Sequence, residues 1–72
     1  MTFAAYMAAV EAATGKSIAG LVDIAEAKGF AVAGRIVPGV KAGQIVAWLA
    51  QDYGLGRGHA MSVYAVLKGR SA

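Results

Sequence analysis

The chain has no cysteine, one histidine, one proline, and seven basic and four acidic side chains in 72 residues. The missing cysteines exclude disulfides. A single imidazole without thiols also excludes a structural zinc cage, so neither metal nor cofactor is expected. No stretch approaches the roughly 20 apolar residues that a membrane-spanning helix needs. The N-terminal MTFAAYMAAVEAATGK lacks the basic start of a signal peptide, so a cytoplasmic location is the default expectation.

What is abundant is apolar residues, 58% of the chain against 15% charged, with a mean hydropathy of +0.57. Many of them are alanine, which favours helices but buries little area. A core of this size supplies only about 3–5 kcal/mol. With disulfides and metal excluded, association is the reinforcement left, and the apolar excess predicts a homo-oligomer. The net charge of +3 is uneven. Lys16, Lys28 and Arg35 are offset by Glu11, Asp23 and Glu26, whereas Lys41, Arg57, Lys68 and Arg70 face only Asp52.

Helical spacing dominates the pattern. Thr2 caps a first helix over about Phe3–Thr14, with Phe3, Tyr6, Met7 and Val10 on one stripe and Gly15 as its stop. Ser17 caps a second reaching about Lys28, with Ile18, Leu21, Ile24 and Ala25 inward; Gly29 ends it, and Phe30 folds back. A third covers about Ala42–Tyr53 with Ile45, Trp48, Leu49 and Tyr53 inward; Gly54 stops it and Leu55 packs back. The fourth starts near Arg57 or Gly58 and ends at Lys68, showing Ala60, Val63, Tyr64 and Leu67 to the core, with Gly69 as its stop. Ala31–Val40 reads as an irregular extended connection whose Val32, Ile36, Val37 and Val40 lie against the core. The expected fold is all-α: one compact four-helix domain over residues 1–72, with a longer irregular connection between helices 2 and 3. A glycine-bearing helix-turn-helix fills its C-terminal half.

The chemistry-bearing residues are few. Gly54, Gly56 and Gly58 alternate through the last turn and flank Arg57, and His59 follows. The first reading is architectural: Gly54 stops one helix, and Gly56 and Gly58 permit a sharp reversal into the next. The turn follows a helix rather than a strand, so it is not a dinucleotide or P-loop fingerprint. Open N–H groups beside a cation are nevertheless where anions bind. The candidate ligand-binding set is Lys41, Gly56, Arg57, Gly58 and His59, with an anionic ligand or nucleic acid as partner. Helix-turn-helix DNA reading would present His59, Ser62 and Lys68 to a groove, a set too poor in long hydrogen-bonding side chains. A hydrolase or transferase would need His59 with Ser62 and a third, orienting group that the sequence does not supply. No catalytic residue is therefore assigned. Trp48, Tyr53 and Tyr64 fit a core better than a ligand box.

Several segments together resemble a small bacterial family of uncharacterised helical domains. They are Thr2-Phe3 with Tyr6, Thr14-Gly15-Lys16-Ser17, Lys41 with Gly43-Gln44-Ile45-Val46 and Trp48-Leu49, and Asp52-Tyr53-Gly54-Leu55-Gly56-Arg57-Gly58-His59-Ala60. The resemblance covers most of the chain and implies a helical domain of unknown function with no established activity. Gln44 stands where that family commonly has Glu, Ala50 where it has Lys, and Ala19-Gly20 where it has acidic residues. The reading these observations support is a small non-catalytic binding or protein-interaction module that self-associates. The alternative is weak phosphate-ligand or nucleic-acid binding through Gly54–His59, and an enzyme using His59 comes last.

Overall fold

The computed structural model describes residues 2–69, so Arg70, the last cation of the basic half, lies outside the described residues. The elements are α1 (Phe3–Thr14), α2 (Ile18–Ala27), β1 (Ala31–Val32), β2 (Arg35–Ile36), α3 (Ala42–Tyr53) and α4 (Arg57–Leu67). The chain is mainly helical.

Local chemistry sets the helix ends. Thr2 Oγ1 accepts the Ala5 N–H, and Ser17 Oγ accepts the Gly20 N–H, so both expected caps form. Gly15 and Gly54 end α1 and α3 in the left-handed region at φ 71° and 66°. At the end of α2, Phe30 N–H reaches Ala25 O at 2.9 Å and Gly29 N–H reaches Glu26 O at 3.1 Å, a Schellman closure that turns Phe30 back onto the core. The Glu11 carboxylate accepts the Ile18 N–H at 2.8 Å, tying α1 to the exposed amide end of α2.

The connection after α2 is more ordered than expected. β1 and β2 pair antiparallel in the register Ala31↔Ile36, Val32↔Arg35. Ala33 and Gly34 join them with both φ values positive, 53° and 78°, the condition for a two-residue hairpin loop that matches strand twist. The Glu26 carboxylate accepts the Gly34 N–H at 2.6 Å and holds the loop to α2. Strand alternation then reverses one core assignment. Ala31 is buried, whereas Val32, expected inward, is 68% exposed. Ile36 and Val40 do pack against the core.

Val10, Leu21, Ile45, Leu49, Val63 and Leu67 form the fully buried centre, with Trp48 among Phe30 and Tyr53 at ring distances of 5.7 and 6.4 Å. The Trp48 indole N–H is buried with no hydrogen-bond partner among the described residues, and nothing in the packing explains it. α4 is the central element, contacting α1, α3 and β2. Among the described residues Val32 is the one exposed large hydrophobic side chain. The other large apolar side chains among the described residues are buried or half-buried, and most of the fully exposed apolar positions are alanines.

Candidate functional site

The last turn is built from the end of α3 and the start of α4. Gly54 donates its N–H to Ala50 O at 2.9 Å, and the next N–H, of Leu55, reaches Leu49 O at 3.3 Å. Leu55 is buried and pins the turn to the core. Gly56 then caps α4 from an extended conformation, φ −69° and ψ 163°, with no side chain to satisfy the first helical amides. Within α4 the first backbone bond is donated by Ala60 to Gly56 O at 2.9 Å. The N–H groups of Arg57, Gly58 and His59 are thus the helix's orphan donors.

Geometry corrects the expected role of two glycines. Positive φ occurs at Gly54 and not at Gly56 or Gly58, so the reversal demands glycine at one position only. A Cβ at Gly56 would meet nothing within 4 Å, and one at Gly58 would touch Tyr6 Cε1 at an ordinary 3.8 Å. Neither conformation nor crowding accounts for glycine at 56 or 58.

The side chains divide between surface and cleft. Arg57 is exposed and has no acidic partner among the described residues. His59 is half-buried and packs edge-on against Tyr6, ring centres 5.1 Å apart at 67°. The Ser62 hydroxyl donates to the backbone carbonyl of His59 at 2.5 Å. That bond goes to the main chain rather than the imidazole, so no Ser–His nucleophile pair is formed. Three of the four acidic side chains are engaged elsewhere: Glu11 and Glu26 on backbone amides, and Asp52 with Lys28 at 3.6 Å.

Lys41 does not join this group. It caps the opposite end of α3, and twelve residues at a rise of ~1.5 Å put about 18 Å of helix between it and Gly54. There its N–H donates to Gln44 Oε1 at 2.8 Å. Residue 44 is therefore a helix-start acceptor, a task Glu would perform equally well.

Beside the α4 start lies an open cleft of about 260 Å³ between α1 and α4, lined by Phe3, Tyr6, Gly58, Met61, Ser62 and Ala65. Of these, Gly58 alone belonged to the expected set. Phe3 and Tyr6 carry the spacing of a core stripe, and their half-burial was the signal that spacing alone could not give. The aromatic cluster likewise differs from the imagined box: Trp48 and Tyr53 gather with Phe30, while Tyr64 sits under Lys68 Nζ at 6.0 Å. No residue from His59 to Leu67 is exposed, so α4 offers no free face to a DNA groove, and Ser62 is buried at 6%.

Residues 2–69 match the family described as a domain of unknown function, DUF4287. The chain belongs to that family. No curated protein and no solved structure matches it. The membership agrees with the resemblance to a family of uncharacterised domains and assigns no reaction. Among the described residues, no helix of this family member is long and apolar enough to cross a membrane.

Proposed function

We propose that this chain is a small non-catalytic binding module that holds an anionic group at the start of α4. The observation that carries the reading is the pair Gly56 and Gly58. Folding has no need of glycine at either position, and both leave backbone amides uncovered beside Arg57, which has no acidic partner among the described residues. Orphan donors, a positive helix end and a guanidinium together favour a phosphate or carboxylate oxygen. The half-buried imidazole of His59 stands at the rim, held by Tyr6.

Titration of the ¹⁵N-labelled protein with inorganic phosphate at low salt tests the reading. The Arg57, Gly58 and His59 amides should shift together, and Arg57→Ala should weaken the affinity roughly three- to tenfold. If none of the three amides moves at low salt, the reading is wrong. Binding to DNA or RNA that declines steeply with salt would instead make the partner a nucleic acid.

Self-association is a second reading, supported by α1. Ala4, Ala8 and Ala12 are exposed at four-residue intervals, and Glu11, the charged residue of that helix, is tied to Ile18. Small side chains in such a row let two helices approach closely. Sedimentation velocity at high micromolar concentration should give a dimer that Ala8→Glu dissociates. A monomer throughout that range sinks this reading while leaving the anion site untouched.

A further inference from the structure

We propose that the cleft between α1 and α4 docks an acidic amphipathic helix of another protein. Docking of this kind uses the side chains of the cleft and its border, so it stands or falls apart from the anion reading of the α4 amides.

Phe3, Tyr6 and Met61 give the cleft aromatic and thioether walls, and Gly58, Ser62 and Ala65 complete it. The Ser62 hydroxyl is already bonded to His59 O, so the cleft offers an occupant chiefly apolar contact. An open cleft of about 260 Å³ takes one or two apolar side chains and leaves the body that carries them outside. That suits a peptide better than a small ligand, which needs enclosure.

Charge on the border selects the partner. Arg57, Met61, Tyr64 and Lys68 fall at i, i+4, i+7 and i+11, one row along α4 and its C-cap. The two cations are exposed and the two residues between them half-buried, with about 16 Å from end to end at the helical rise. Neither cation has an acidic partner among the described residues. Helix α4 carries no acid, and Glu11, the acid of α1, is bound to the Ile18 amide. The border is therefore an apolar strip with a positive charge at each end. Its complement has apolar residues in the middle and carboxylates a similar distance apart. A helix of about three turns meets that description, laid by its apolar face along the groove.

A second copy of the chain cannot supply such a segment. Its four acids are Glu11, Asp23, Glu26 and Asp52. Glu11 and Glu26 are held on backbone amides and Asp52 by Lys28, and Asp23 alone cannot match two cations.

The test titrates the full chain, labelled at backbone amides and methionine methyls, with a synthetic peptide of roughly twelve residues. The peptide has glutamate at each end and two leucines a helical turn apart between them. The Met61 methyl and Tyr6 ring should shift, and replacing both leucines by serine should weaken binding on the order of tenfold or more. Exchanging the glutamates for lysines should weaken it roughly fivefold. Arg57→Glu should bring the glutamate and lysine peptides level, and because Arg57 is exposed the change leaves the core untouched. Equal affinity for the two peptides in the unaltered protein, or no loss on removing the leucines, overturns the proposal without need of a variant. So does a shift of Met61 and Tyr6 on concentrating the chain alone, which makes the occupant a second copy. If phosphate moves the Arg57–His59 amides while no peptide moves Met61 or Tyr6, docking fails and the anion reading survives. Peptide shifts without phosphate shifts give the converse.

Discussion

At the scale of single residues, the three glycines of the last turn have different reasons to be there. Gly54 sits at φ 66°, where an L side chain is strained, and closes α3 through its own amide. Gly54→Ala should therefore cost about 1–2 kcal/mol in urea denaturation. Gly56 occupies an N-cap that serine or aspartate fills better, so Gly56→Ser should leave stability equal or raise it by a few tenths of a kcal/mol. A large loss on Gly56→Ser would mean that the backbone there is constrained in a way its angles do not indicate. The alternating pattern was plain in the sequence, but the division of labour was not. Sequence identity says that glycine is permitted to adopt positive φ and cannot say which of three neighbours does so.

At the scale of elements, the helices were legible and the hairpin was not. The first two helices announced themselves by a cap, a stripe and a stop, Thr2 and Gly15 for α1 and Ser17 and Gly29 for α2. By contrast, α3 and α4 showed a stripe and a stop, Gly54 and Gly69. Two-residue strands have no period to detect, and Ala33-Gly34 lacks the Asn or Asp that usually marks such a loop. What stabilises the hairpin is tertiary, the Glu26 carboxylate reaching Gly34 from α2. The corner between α1 and α2 depends on a similar long reach from Glu11 to Ile18. Glu11→Ala should lower stability by about 1–2 kcal/mol, visible as an earlier urea midpoint with an unchanged m value. No loss would show that Ser17 alone is a sufficient cap. The cleft was hidden for the same reason as the hairpin. Its walls come from Phe3 and Tyr6 near one end of the chain and from Gly58, Met61 and Ser62 near the other.

At the scale of the whole molecule, one small core gathers the buried apolar side chains, and α4 contacts α1, α3 and β2 around it. Leu49 is fully buried, and truncating such a residue to alanine typically costs 2–5 kcal/mol. That equals the whole stability expected of a core this size, so Leu49→Ala should be largely unfolded by circular dichroism at 25 °C. A cooperative melt retained in the variant would imply reinforcement from outside the core, and association is the candidate. The greasy composition predicts association from an apolar excess. Folding buries or half-buries the large apolar side chains other than Val32 among the described residues, and leaves Ala4, Ala8 and Ala12 of α1 exposed.

Leu55 gives the turn a dynamic character of its own. Because its side chain is buried, the backbone on either side is anchored, while the amides just beyond it have no acceptor among the described residues. Such amides should look stiff to nanosecond relaxation and yet exchange with solvent within seconds, a combination that loops and helix interiors do not show. A ligand arriving there would find donors already fixed in direction and would lose little chain entropy in meeting them.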